Sequence, residues 1–187
     1  MPPSRKTIKI PHPPEGFQYH ESLITPSEQA ELAHNIETLP LKEFEFHGYL
    51  GKRRTISFGW HYSFANESLN RSETIPDFLV PVREKAAAFA ELAPDELPHV
   101  LVAEYSPGTP IGWHRDKAVF QDVIGISLLS ECPFRLRRKI TSGWERYTHR
   151  LMPRSAYLLR GSVRTQWEHS IPPVESLRYS ITFRSLK

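Results

Sequence analysis

Cysteine is nearly absent from this chain of 187 residues, which contains only Cys132. A lone cysteine excludes an internal disulfide framework and is typical of the reducing cytosol, so we expect a cytoplasmic location.

Long apolar runs are also missing. None approaches the length of a membrane span, and the N-terminus lacks the apolar segment of a secretory signal. We therefore expect no membrane partner.

The remaining composition, with 39% hydrophobic and 24% charged residues, is typical of a soluble globular protein with one core. Its charge is uneven, because residues 1–100 carry a net charge of −4 and residues 101–187 a net charge of +7. An anionic partner near the basic half would explain this asymmetry, and ordinary surface charge would explain it as well. No feature indicates an obligate protein partner.

A candidate metal motif follows the strand-like run Val100–Tyr105 and a Pro-Gly turn. There the chain presents His114 and Asp116, two residues apart, which point to the same side of an extended backbone. They supply two corners of a facial triad of two histidines and a carboxylate, the ligand set of non-haem Fe(II) sites. Nine histidines and 21 acidic residues make such a pair possible by chance.

The C-terminal residues strengthen the metal hypothesis. His169 is a third candidate ligand, and a strand after it alternates strictly between polar and apolar residues. Its polar face contains Arg178, Ser180, Thr182 and Arg184, and its apolar face contains Leu177, Tyr179, Ile181 and Phe183. If the polar face points inward, the two guanidinium groups are costly to bury unless they meet an anion, such as a bound dicarboxylate.

Together, these motifs resemble the AlkB family of Fe(II)- and 2-oxoglutarate-dependent dioxygenases, over about Val100 to Arg184. The family usually closes with Arg-x-Asn-x-Thr-x-Arg, and here Ser180 replaces the Asn. It also usually has Asn-x-Tyr before the metal motif, whereas this chain has Ala103 and retains Tyr105. These replacements leave the candidate metal ligands unchanged.

The order of elements predicts an α+β, mainly β fold. One helix is expected from Thr25 to about Leu39 and another from Pro81 to about Leu92, followed by many short strands between Pro and Gly turns. This order is typical of a double-stranded β-helix, a cupin-like jelly roll braced by the two helices. The polar segment from Asn66 to Thr74 is expected to be a loop.

The resemblance implies a single dioxygenase domain over residues 1–187. Residues 1–95 would form an N-terminal extension with the helices and a substrate lid, and residues 96–187 would form the catalytic core. Fe(II) would be bound by His114, Asp116 and His169. The co-substrate 2-oxoglutarate would be bound by Tyr105, Arg178, Ser180 and Arg184, with O2 as the oxidant.

The lid region mixes aromatic and basic side chains, which suit stacking on an extruded base and contact with phosphates. The candidate substrate contacts are Tyr49, Arg54, Trp60, Tyr62 and Arg115. The aromatic residues among them would equally suit the buried side of a strand. A basic cluster between Arg135 and Lys139 could hold phosphates, or could be a solvated strand face.

The leading functional hypothesis is therefore oxidative demethylation of N-alkylated bases in DNA or RNA. The same chemistry on a protein side chain or a small molecule is the main alternative. A non-catalytic cupin-like binding protein and a zinc hydrolase are further alternatives, because cupin folds also bind without catalysis and a His-Asp-His set also suits zinc.

Overall fold

The computed structural model describes residues 6–46, 49–63, 68–71 and 73–187, with side chains over 7–43, 52–60 and 73–187. Within these residues, two sheets and three helices form most of the fold. No helix among them is both long and apolar enough to cross a membrane. Elements are numbered in chain order.

The smaller sheet has five strands, which are, from edge to edge, β1 (Lys6–Lys9), β11 (Gly143–Leu151), β10 (Cys132–Ile140), β13 (Glu168–Ile171) and β8 (Ile111–His114). The larger sheet has seven, which are β2 (Phe17–His20), β12 (Ala156–Leu159), β9 (Phe120–Leu128), β14 (Arg178–Leu186), β7 (His99–Tyr105), β4 (Tyr49–Phe58) and β3 (Lys42–Phe46). A separate pair consists of β5 (Trp60–Ser63) and β6 (Ser68–Arg71).

The two large sheets confirm the expected jelly roll. Their described pairings are antiparallel, apart from the parallel pairing of β1 with β11. Apolar side chains from both sheets meet in one cluster, including Phe134 and Leu136 from the smaller sheet and Val123 and Leu159 from the larger one. The site therefore lies in a fold whose two layers enclose inward-facing side chains.

The three helices are α1 (Pro26–Glu37), α2 (Val80–Phe89) and α3 (Gly161–Gln166). Helix α1 begins at the expected capping box, in which Thr25 and Glu28 bond each other's backbone N–H. The buried sides of α1 and α2 form one core cluster with Tyr179, Ile181 and Phe183 of β14. The apolar face of β14 therefore packs against the helices, as expected, and its arginines face the other way.

One expectation about an individual segment was wrong. The segment expected to be a loop contains β6, which pairs with β5, while residues 66, 67 and 72 within it lie outside the described residues. A short polar strand has too little apolar alternation to be recognised. Before β13, the chain also forms α3, whose six residues bury only Val163 and Arg164.

A close contact between β9 and β12 depends on Gly125. It lies directly opposite Tyr157, and a Cβ atom at this position would be 2.3 Å from the Tyr157 ring. That ring is buried and stacks on Phe134 at a centroid distance of 4.6 Å, so it has little room to move. Glycine is therefore required here for space.

We predict that Gly125→Ala destabilises the protein by about 1–3 kcal/mol through overpacking. Thermal unfolding would then show a midpoint lowered by about 2–4 °C for each kcal/mol. Gly112→Ala is the matched control, because a Cβ there meets no atom within 4 Å. Equal midpoints for wild type and Gly125→Ala would contradict this packing argument.

Candidate active site

Neighbouring strands of the smaller sheet carry the two candidate ligand histidines. His114 at the end of β8 lies directly opposite His169 on β13, and their ring centroids are 4.2 Å apart. Asp116 follows two residues after His114, and its Oδ2 lies 4.0 Å from Nε2 of His169. The structure therefore brings together the three side chains that the sequence singled out.

Hydrogen bonds orient two of these side chains. Nδ1 of His114 lies 2.8 Å from the carbonyl oxygen of Gly112, so a proton on Nδ1 leaves the Nε2 lone pair available to a metal. Arg184 donates from Nη2 to Oδ1 of Asp116 at 2.8 Å. The Asp116 side chain, 9% exposed, is thereby held on the His169 side.

The electrostatic environment favours the protonation states that bind a metal. Burial, followed by the charge of His114, lowers the pKa of His169 from 6.5 to about 3. Burial also lowers the pKa of His114. For Asp116, burial raises the pKa, but the charges of Arg184 and the two histidines outweigh it and hold the pKa below its usual range. At neutral pH the cluster is thus one carboxylate and two neutral imidazoles, which suit a divalent cation.

The cluster is not a closed coordination shell. Among the described side chains, no three His, Cys, Asp or Glu residues are already grouped as a metal ion would hold them. The fit to a metal therefore depends on the donor set, its protonation and its convergence.

A second group of inward-facing side chains lies on β14 and its neighbours. Arg178 is 1% exposed, donates from Nε to the Ser127 hydroxyl at 3.1 Å, and has its Cζ 5.0 Å from the centroid of the Tyr105 ring. Its Nη1 has no hydrogen-bond partner among the described residues. A buried guanidinium with an unpaired N–H is costly, so this position favours an anionic ligand. Ser180, also buried, follows on the same face of the strand.

Comparison with known proteins identifies the family to which a chain with these candidate metal ligands and this buried arginine belongs. The model of the 2OG-Fe(II) oxygenase superfamily matches residues 18–184 of the chain. The chain belongs to this superfamily. The oxygenase is therefore a dioxygenase that uses Fe(II), 2-oxoglutarate and O2. The unpaired N–H of Arg178 and the neutral imidazoles of the cluster fit such a co-substrate and metal.

Two further proteins are similar to this chain, one in sequence and one in fold. A curated protein of Arabidopsis thaliana, "Alkylated DNA repair protein ALKBH8 homolog", is 29% identical over 147 residues. The match covers 66% of this chain and 42% of that protein, so the oxygenase spans less than half of its length. A solved structure, described as "The structure of OsALKBH1", has a TM-score of 0.72 at 15% identity, covering 93% of this chain and 98% of that one. The latter likeness shows the same fold.

The candidate substrate contacts differ in their surroundings and in whether the structure describes their side chains. Arg54 forms a two-pronged ion pair with Glu104 at 2.7 and 2.8 Å, which removes it from the ligand cluster. Trp60 is half-buried at the start of β5. Arg115 is exposed and donates to the Thr165 carbonyl at 3.1 Å. The side chains of Tyr49 and Tyr62 lie outside the described residues, so those two expectations stay predictions.

Arg53, the neighbour of Arg54 on β4, lies beside Tyr105. Its Nη1 lies 3.4 Å from the Tyr105 hydroxyl, and its Cζ lies 5.9 Å from the centroid of that ring. Neighbouring residues of a strand point to opposite faces, so one arginine of the pair had to face inward. Only the register of β4 against β7, which aligns Arg54 with Glu104, decides which one does.

Sequence analysis missed two other side chains near the candidate ligands. Arg164 on α3 is buried and donates from Nη2 to the carbonyls of Lys117 and Phe120, thereby fixing the turn after Asp116. Tyr157 is buried, and burial, followed by the charge of Asp116, raises its pKa, so its phenol stays neutral. No sequence pattern indicates either role, because both depend on how α3 and β12 pack.

We predict that the metal-free oxygenase loses stability as pH falls from about 6.5 to about 5, above the range in which most carboxylates protonate. The folded state holds His169 neutral, whereas the unfolded chain protonates it near its ordinary pKa of 6.5, so acid favours unfolding. Urea titrations across this range should show the slope, and His169→Asn should reduce it by up to about 1.4 kcal/mol per pH unit, the value for one proton.

The matched control is His34→Asn, which replaces an exposed histidine of α1 and should leave the slope unchanged. If His169→Asn kept the full wild-type slope, the burial of a neutral imidazole at this position would be contradicted.

Proposed function

We propose that the oxygenase oxidatively demethylates N-alkylated bases in nucleic acid. The observation that carries the chemistry is the buried Arg178, with its unpaired N–H, in a fold that also assembles His114, Asp116 and His169. Similarity to a protein named for alkylated DNA repair supports the substrate class. The excess of positive charge in residues 101–187 supports a polyanionic substrate.

We assign the metal to the three converging side chains. His114, Asp116 and His169 would hold Fe(II) on one face, leaving positions for the co-substrate and O2. Arg184 acts as a positioning residue, because its bond to Asp116 Oδ1 fixes that carboxylate while the second oxygen faces the histidines.

The co-substrate would lie along the inner face of β14. Arg178 supplies a buried cation for the far carboxylate of 2-oxoglutarate, with the Tyr105 phenol beside it and Ser180 between it and the metal end. With iron and 2-oxoglutarate bound there, the oxygenase could insert one oxygen atom of O2 into a C–H bond and pass the other to succinate as carbon dioxide leaves.

Demethylation requires the protein to hold the N-methyl carbon of a substrate base next to this centre. Hydroxylation of that carbon gives an N–CH2OH group, which releases formaldehyde and, from a cationic N1-methyladenine or N3-methylcytosine, a proton, so that the unmodified ring nitrogen is restored. Arg53 sits beside Tyr105 and can contact a phosphate or base next to the co-substrate. The half-buried Trp60 at the start of β5 offers a ring for stacking on an extruded base.

We expect the purified oxygenase, given Fe(II), ascorbate, 2-oxoglutarate and air, to remove methyl groups from N1-methyladenine or N3-methylcytosine. Mass spectrometry of single- and double-stranded DNA and RNA oligonucleotides would record the loss and the preferred strand type. His114→Ala should abolish the loss because it removes a candidate ligand. His34→Ala, on the exposed side of α1, should retain it.

The outcomes separate the alternatives. Succinate formation without methyl loss would reject nucleic-acid demethylation and assign the same chemistry to a protein side chain or small molecule. If neither product formed with any of these substrates while iron remained bound, the proposal would be rejected in favour of a binding protein.

A further inference from the structure

The outer face of the smaller sheet carries an ordered set of cations and indole rings. Residues of β10 alternate, so Phe134 and Leu136 enter the core while the residues between and beyond them face outward. The residues that define this surface, called here the basic face, are Trp113, Arg135, Arg137, Lys139, Trp144 and Arg146. The basic face includes most of the basic cluster between Arg135 and Lys139. The sequence alone did not decide whether this cluster binds phosphates or is a solvated strand face.

Stacking holds the cations of the basic face in place. The Arg137 guanidinium lies between two indoles, with its Cζ 4.4 Å from the Trp113 centroid and 4.3 Å from the Trp144 centroid. Cζ of Arg135 and of Arg146 lie 5.2 and 5.6 Å from the Trp113 centroid. Cations held on aromatic rings lose less side-chain entropy when they bind an anion than freely rotating ones.

Little of this charge is neutralised by the contacts that the structure records. Arg137 donates from Nε to a carboxylate oxygen of Glu168 at 2.5 Å, and Arg135 donates to the neutral Ser170 hydroxyl at 3.0 Å. Nε of Arg146 is buried and, within the part of the chain that the structure describes, has no hydrogen-bond partner. Lys9 of β1, opposite Arg146 in the register, adds a further cation at the same height of the sheet.

The basic face is the reverse side of the strands that carry the candidate ligand histidines. Trp113 immediately precedes His114 on β8, and Glu168 immediately precedes His169 on β13, so each pair points to opposite faces. Strand β8 is the edge of the smaller sheet. A ligand that reaches the histidines from outside the sheet can therefore continue around this edge and onto the basic face.

We propose that the basic face binds the sugar-phosphate backbone of a single nucleic-acid strand whose modified base enters the active site around the edge of β8. This deepens the proposed function and rests on it for the identity of the substrate. Guanidinium groups suit phosphates through paired N–H donors, and the indole rings keep these groups oriented towards the strand. A regular row of rigid cations with rings between them matches a repeating phosphate chain better than the scattered carboxylates of a folded acidic protein.

The test measures equilibrium binding of a fluorescent, unmodified single-stranded oligonucleotide across a series of salt concentrations. Arg135→Gln and Arg146→Gln should each weaken binding several-fold at low salt. The double variant should flatten the dependence of log K on log salt by about 1.4, the loss of two phosphate contacts on a single strand. Thermal unfolding would confirm that each variant is folded.

The matched control is Lys85→Gln, which removes one positive charge from α2, where Lys85 pairs with Glu28 at 2.6 Å. Binding and salt dependence should stay as in wild type. The proposal would be overturned if the double variant kept the wild-type salt dependence or lost no more affinity than the control. It would also be overturned if poly-glutamate of equal charge competed as well as the oligonucleotide, since an acidic protein would then be the better partner.

Because the oligonucleotide carries no methyl lesion, this experiment does not depend on demethylation. A wild-type protein that binds through the basic face without removing methyl groups would reject the proposed activity alone. If the double variant removed methyl groups as efficiently as wild type and bound the oligonucleotide as tightly, the basic face alone would be rejected.

Discussion

The structure depends on the burial of two guanidinium groups on the inner face of β14. A buried cation is tolerated only when charge or hydrogen bonds compensate for lost water. Arg184 meets most of this condition within the chain, because it donates to Asp116 at 2.8 Å and lies 3.4 Å from Nδ1 of His99, while its Nε has no partner among the described residues. Arg178 meets it only in part, through the hydroxyl of Ser127 and the face of Tyr105. Arg184 is thus paired with a carboxylate, whereas Arg178 has no carboxylate partner among the described contacts, which supports the proposal that Arg178 binds an anion.

This division explains why the fold needs its helices. Because β14 places its polar face inside the barrel, its apolar face must be covered elsewhere, and α1 and α2 provide that cover. The larger sheet then carries Arg178, the cation proposed for the co-substrate, while β8 and β13 of the smaller sheet carry the histidines. Asp116 connects the two layers through Arg184. Helix α3 adds a second constraint, since Arg164 fixes the turn that follows Asp116.

Much of this could be predicted, because strict alternation along β14 and the His-x-Asp spacing are local features. The capping box at Thr25 likewise fixed the start of α1. The features that the sequence left undecided depend on contacts between residues distant in sequence. The choice between Arg53 and Arg54 required the register of β4 against β7, which no local pattern contains. The basic face was visible only as a cluster of cations, since the indoles that order it come from β8 and β11.

The central claim is that Arg178 is the cation for the co-substrate carboxylate, independent of the metal ligands. Calorimetric titration of 2-oxoglutarate into the Fe(II)-loaded protein without oxygen tests it directly, with metal content measured on the same samples. Loss of a charge-assisted hydrogen bond worth about 1.5–3 kcal/mol should weaken binding by about 10- to 100-fold in Arg178→Met, with metal content unchanged. Arg54→Met, which breaks only the pair with Glu104, should bind 2-oxoglutarate as wild type does. Wild-type affinity in Arg178→Met would contradict the account.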